Sequence, residues 1–187
     1  MAAKDKDLIR IVEGCKKGSP GHQKELYDRF APYMFSICNR YAKNYMDAED
    51  IFQEGFLKVF TNIHQLRNVD AIMWWMKKIF VNEALMFYKK QPDLYRLNTY
   101  SGEQNERMIE VEMTISKIST EEISRMIQKL PNKMRLVFNM YIIEGFTHQE
   151  ISDMLGISVG TSKSNLHDAR KMLQARIRQL ENNKKYG

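Results

Sequence analysis

The chain has 187 residues, with 29 Lys and Arg against 23 Asp and Glu, for a formal net charge of +6. With 43% apolar and 28% charged residues its composition is ordinarily globular, which excludes a wholly unfolded polypeptide; the length suits one domain or two small ones. Only 9 Gly and 4 Pro interrupt it, which argues against a turn-rich β architecture and for long helices.

The longest apolar run, Ala71 to Met76, is far short of the ~20 residues a membrane-crossing helix needs. The amino terminus alternates charges at Lys4, Asp5, Lys6 and Asp7 where a secretory signal is continuously apolar, so a cytoplasmic chain without membrane insertion is expected. Cys15 and Cys38 are too few for a disulfide framework and lack zinc-site spacing. They read as core residues in a reducing compartment.

Hydrophobic periodicity divides the chain into two helical blocks. Leu8, Ile9, Ile11 and Val12 mark a short first helix that stops at Gly18-Ser19-Pro20-Gly21. A longer one follows with a broad apolar face of Leu26, Tyr27, Phe30, Tyr33, Met34, Ile37, Cys38 and Tyr41, kinked or divided by Pro32. Asp47 is a candidate cap for a third helix with acids in its first turns and an inner stripe of Ile51, Leu57 and Phe60. Asp70 is a candidate cap for a fourth, reaching about Lys90 and dense in Trp74, Trp75, Ile79, Phe80, Leu85, Met86 and Tyr88.

From Gln91 to Lys117 three basic residues face five acids, and this stretch reads as a flexible acidic linker. Ser119 and Glu122 form a capping-box pattern for a helix reaching Leu130. Pro131 opens another whose apolar positions Met134, Val137, Phe138, Tyr141 and Ile142 run to a stop at Gly145. The expected fold is therefore all-α: two small helical domains, 1–91 and 119–187, joined by a linker over 92–118.

Thr147 and Glu150 form a second capping-box pattern before Ile151 and Leu155, and Gly156 permits a tight turn. A second helix starts near Ser158 with Ser162, Leu166, Ala169 and Leu173 on its inner face. A short helix, a glycine turn and a longer helix make a helix-turn-helix, whose second helix enters the DNA major groove. Its outer face carries Thr161, Lys163, Ser164, Asn165, His167, Arg170 and Lys171, with cations for phosphates and polar groups for base edges. From Ser158 onward seven Lys and Arg face two acids. A basic helix end also favours the macrodipole, so charge alone does not separate a DNA-binding surface from a solvated one.

Asp47-Ala48-Glu49-Asp50-Ile51-Phe52-Gln53-Glu54-Gly55-Phe56 resembles the signature helix of the sigma factors of bacterial RNA polymerase, in particular the small extracytoplasmic-function (ECF) group. Trp75-Met76-Lys77-Lys78-Ile79-Phe80-Val81-Asn82 is similar to that family's following helix, which faces promoter DNA. Leu130-Pro131, Met134 to Phe138, Glu144 to Thr147, Glu150-Ile151 and Leu155 to Ser164 resemble its carboxy-terminal promoter-binding domain.

The resemblance implies that Asp47, Asp50, Phe52, Gln53, Glu54 and Phe56 dock on the β′ clamp of core RNA polymerase. Asp50, Gln53 and Glu54 would meet basic partner residues, with Phe52 or Phe56 as the apolar anchor. It implies further that Gln65, Arg67, Asn68 and Asp70 form a loop for a flipped base of the minus-ten element, and that Trp74, Lys77, Lys78 and Asn82 line the path of the open strand, with Trp75 structural. The outer residues of the second helix-turn-helix helix would bind the minus-thirty-five element while that domain rests on the β flap. The linker would run near the polymerase's RNA path, and an anti-sigma factor would be a further partner.

Three residues depart from the family pattern: Ser162 where an apolar residue is common, Asn165 where Arg is usual, and Asp168 where Arg is frequent. Asp168 cannot clamp a phosphate.

Two other readings compete. A stand-alone helix-turn-helix regulator explains the second block only. A helical hydrolase would use Asp47, Glu49, Asp50 and Glu54 on a metal, but no two of His22, His64, His148 and His167 have ligand spacing and no phosphate-cradling glycine loop or nucleophile motif is present. Neither catalysis nor a cofactor is expected.

Overall fold

A computed structural model describes residues 3–42, 44–89 and 120–186. Among these every regular element is helical, and the chain divides into two compact units, Met1–Gln91 and Pro92–Gly187. The acidic linker and the Ser119 cap lie outside the described residues.

The first unit consists of α1 (Ala3–Lys16), α2 (Pro20–Tyr41), α3 (Tyr45–Asn62) and α4 (Ile72–Lys89). The first three helices pack in sequence, and α4 closes on both α2 and α3. Val12, Leu26, Met34, Ile37, Tyr41, Ile51, Met76 and Phe80 are fully or almost fully buried between them. Cys15 and Cys38 join this core, and burial pushes their thiols up to about 11 and about 12. On the surface Arg10 ties α1 to α2 through Glu25 at 2.6 Å while also holding Asp7 at 2.8 Å. An exposed pair of this kind contributes little.

Several local expectations shift. Pro32 does not divide α2, which is continuous from Pro20 to Tyr41; the proline is exposed, so the carbonyl its ring leaves unbonded can be hydrated. The cap of α3 is Asn44, whose side chain accepts from the Asp47 N–H at 2.9 Å, and Asp47 sits inside the first turn. Before α4, Asn68 rather than Asp70 is the cap: its Oδ1 accepts from the Asp70 N–H at 3.0 Å and starts the short turn Val69–Ala71. The inner stripe of α3 is Ala48, Ile51, Gly55, Phe56 and Val59. Leu57, expected inside, is 61% exposed, Phe60 is half-buried, and Tyr27 and Tyr33 of α2 are also exposed.

Gly55 lets α3 and α4 approach closely. A β-carbon at this position would lie 2.4 Å from Cε1 of Phe80, and Phe80 is wholly buried. The Phe80 ring meets Phe56 edge-on at 5.3 Å and Phe52 at 6.0 Å.

The second unit comprises α5 (Thr120–Gln128), α6 (Asn132–Phe138), α7 (His148–Leu155) and α8 (Val159–Tyr186). α5 stops before Leu130, which is buried, and Pro131 stands at the cap of α6. Two arginines close the carbonyl end of α5: Arg176 of α8 donates to Met126 O at 2.9 Å and Lys129 O at 3.1 Å, and Arg135 donates to Gln128 O at 3.3 Å. α6 runs on as a π-turn, Asn139–Ile143. The wider turn breaks the 3.6-residue repeat, so Ile142, expected to face inward, is exposed together with Ile143.

Candidate nucleic-acid and protein-binding interfaces

The helix-turn-helix forms from local interactions. Thr147 Oγ1 accepts from the Glu150 N–H at 3.2 Å while Glu150 Oε2 accepts from the Thr147 N–H at 2.9 Å, a complete capping box. Gly156 takes the left-handed conformation, with φ 67° and ψ 38°. Ser152 Oγ closes the turn by donating to Ile157 O at 2.6 Å, and Ser158 Oγ accepts from the Thr161 N–H at 2.9 Å at the head of α8. Ile151, Leu155, Ser162, Leu166 and Ala169 are buried, and Leu173 is half-buried.

The opposite side of α8 exposes Thr161, Lys163, His167, Arg170 and Lys171, with Ser164 and Asn165 half-buried. Thr161 Oγ1 is 2.8 Å from Ser158 Oγ. Ser164 Oγ and Asn165 Nδ2 donate to Thr161 O at 3.1 and 2.8 Å. These two side chains are thus bonded back to their own helix, and base contact requires that they swing out. Lys163, Arg170 and Lys171 offer cations directly. Asp168 is half-buried beside them.

In the first unit α3 has a second face. Met46, Asp50, Gln53 and Leu57 recur at steps of four, three and four residues, with Glu54 beside them, and all are exposed. Met46 at 75% and Leu57 at 61% exposure bracket the carboxylates and the amide. Phe56, expected as an outward anchor, is instead buried among Tyr27, Phe52, Phe60 and Phe80. Phe52 is half-buried in the same cluster, packed edge-on to Phe35 at 5.3 Å. Asp47 is half-buried in the first turn. The exposed apolar groups on this face are Met46 and Leu57, and their helical spacing was a usable signal once Ile51, Gly55 and Val59 are recognised as the inner stripe.

The loop before α4 exposes Gln65, Arg67, Asn68 and Asp70, held by the buried Leu66. Gln65 Nε2 donates to Asn62 Oδ1 at 3.0 Å. Further along, Trp74, Lys78 and Asn82 are exposed at four-residue steps and Trp75 is half-buried. The Lys77 ammonium lies 5.4 Å from the centre of the Trp74 ring and 5.8 Å from that of Tyr33. Tyr33, on α2, which periodicity places on the inner face, therefore joins a surface of two exposed rings and a cation.

Fold and faces together describe a two-unit helical protein with a helix-turn-helix in its second unit. Residues 26–92 match the family described as Sigma-70 region 2 and residues 120–173 match Sigma-70, region 4. The ECF RNA polymerase sigma factor SigW of Bacillus subtilis is 28% identical over 183 residues, which cover 92% of this chain and 98% of SigW. The ECF RNA polymerase sigma-E factor of Escherichia coli K12 is 24% identical over 180 residues, covering 91% and 94% of the two chains. Among solved structures, CnrH in complex with the cytosolic domain of CnrY is similar at TM-score 0.52 and 18% identity, over 90% of this chain and 96% of that one. The sigma factor RpoE of Bartonella quintana, in complex with the anti-sigma factor NepR, is similar at TM-score 0.54 and 18% identity, over 83% and 96%.

The chain belongs to the sigma-70 family. Within it, it is a sigma factor of the ECF group that serves transcription initiation. The match over the first unit leaves the stand-alone regulator without support, because that reading gives this unit no role. Among the described residues no helix is long and apolar enough to cross a membrane.

Proposed function

We propose that this ECF sigma factor docks on the β′ clamp of core RNA polymerase through the outer face of α3, with Met46 and Leu57 as apolar anchors around Asp50, Gln53 and Glu54. The observation that carries this reading is the pair of highly exposed apolar residues on a helix whose core-facing stripe is already filled. Asp47 supports the first turn of that helix. Phe52 and Phe56 hold it in place from within.

The loop Gln65–Asp70 receives a base of the minus-ten element, and Tyr33, Trp74 and Lys77 form the platform for the separated strand, continued by Lys78 and Asn82. Thr161, Lys163, Ser164, Asn165, His167, Arg170 and Lys171 meet the minus-thirty-five element while the second unit rests on the β flap. Residues 92–118 bridge the two units along the RNA path. The protein contributes binding energy and no catalysis, and it acts in the cytoplasm, where its polymerase is. An anti-sigma factor covering these faces controls it; the Bartonella RpoE, solved with the anti-sigma factor NepR, supports this.

The test is co-purification with core polymerase followed by run-off transcription on genomic fragments. Promoter-specific transcripts that need the added chain are expected; no association, or no new transcript, overturns the reading. Lys163→Ala is expected to weaken promoter binding by about 1–3 kcal/mol, with relaxed preference at one base pair if it reads a base and a uniform loss if it holds a phosphate. Trp74→Ala is expected to leave polymerase binding intact yet cost about 1–3 kcal/mol of strand holding, read as reduced permanganate reactivity of promoter thymines. Unchanged reactivity would remove Trp74 from the strand path.

A further inference from the structure

His148, the first residue of α7, belongs to none of the faces above. Its Nδ1 lies 2.9 Å from Oγ of Ser162, and its ring stacks on Tyr141 with centroids 4.3 Å apart and planes 22° from parallel. Ser162 is wholly buried on the inner side of α8, and a buried hydroxyl requires a hydrogen-bond partner. One imidazole thus joins three elements: the π-turn that precedes the helix-turn-helix, the helix it begins, and the helix that presents Lys163 and Arg170. The charged groups acting on the ring are those two cations of α8. Its neighbour from the π-turn is Tyr141, and Glu150 on its own helix is engaged in the capping box.

We propose that His148 is a positioning residue for the recognition helix, and that duplex DNA bound to Lys163 and Arg170 draws a proton onto its ring. The proposal rests on the assignment of the outer face of α8 to DNA. Partial burial first, and then the fields of Lys163 and Arg170, hold the imidazole below its ordinary range, so the free protein carries it neutral near neutral pH. Phosphates on those two cations cancel the repulsion and favour the imidazolium. The bond to Ser162 survives the change, because the hydroxyl can donate to the neutral ring or accept from the charged one. A group whose pKa rises on binding makes binding tighter as pH falls.

The test uses the full chain with histidine side chains isotopically labelled and a short mixed-sequence duplex at fixed low salt. The His148 ring resonance, assigned by its loss in His148→Gln, is titrated with and without the duplex. Its midpoint is expected to move to higher pH when the duplex binds. Anisotropy then follows affinity in a His167→Gln background, which removes the exposed imidazole of α8 from the readout. Affinity is expected to rise, by less than about threefold, from about pH 8 to about pH 6. Adding His148→Gln, which keeps a side chain able to bond Ser162, is expected to preserve the alkaline affinity and abolish the acid gain, whereas His148→Ala weakens binding at every pH.

A His148 midpoint unmoved by bound duplex overturns the proposal even if the variants fold poorly, since the wild-type titration does not depend on them. So does an identical acid gain in His148→Gln. Failure of the duplex to perturb Lys163 and Arg170 would instead overturn the DNA assignment and this inference with it.

Discussion

Phe80→Ala is expected to cost the first unit about 3–5 kcal/mol, read as a shifted denaturation midpoint of the full chain. The ring is wholly buried between α3 and α4 and contacts both Phe52 and Phe56, so its loss leaves a cavity at the centre of an aromatic cluster. That loss is a large share of the roughly 5–15 kcal/mol that holds a small domain folded. Gly55→Ala sets the converse test, because its new β-carbon would fall 2.4, 2.6 and 2.8 Å from three atoms of the same ring. Overpacking of this kind costs about 1–3 kcal/mol. In the Phe80→Ala background the added methyl enters the vacated space, so the two changes are expected to be strongly non-additive, with Gly55→Ala neutral or stabilising there. Simple additivity would mean that the two positions do not share this contact.

Leu57→Asp is expected to have the largest effect on transcription while leaving the fold almost unchanged. The side chain is exposed, so its replacement should move stability by no more than about 0.5 kcal/mol. At a docked interface it would be an apolar anchor, and replacing it with a charge costs about 2 kcal/mol or more, seen as at least a tenfold weaker affinity for core polymerase and a matching loss of run-off product. Lys58→Ala, next along the same helix and also exposed, is the control. Wild-type affinity in Leu57→Asp would move the docking surface off this face of α3.

The parts of the fold set by neighbours in sequence were readable from sequence. Thr147, Glu150 and Gly156 define the helix-turn-helix within ten residues, and the structure keeps the capping box and the left-handed glycine as expected. Asn44 and Asn68 each cap an element two or three residues ahead of the acid chosen from sequence, because asparagine and aspartate offer the same acceptor and only backbone geometry chooses between them. Sidedness was harder where apolar residues occur all around a helix. α3 has Ile51 and Val59 on one side and Met46 and Leu57 on the other, and only the helices packed against it decide which pair is inner. Ile142 faces outward because a π-turn changes the repeat, and the pairing of His148 with Ser162 spans 14 residues. No local pattern announces either.

The candidate interface residues divide in the same way. Lys163, His167, Arg170 and Lys171 lie on the exposed side their spacing predicts. Phe56 does not, since four other aromatic rings surround it. Tyr33 was assigned to the core by its place in an apolar run, but it is an amphipathic side chain and shares the Lys77 ammonium with Trp74.

The guanidinium of Arg176 decides where the second unit can be cut. Its two bonds hold the carbonyl end of α5 from a position beyond residue 173, at which the region 4 match stops. A fragment trimmed to the family boundary would keep the whole helix-turn-helix yet lose the clasp on the helix that leads into it. The smallest excised piece that retains its native leading helix therefore extends at least one helical turn further along α8, so the stem of that helix serves as scaffold as well as carrying basic charge.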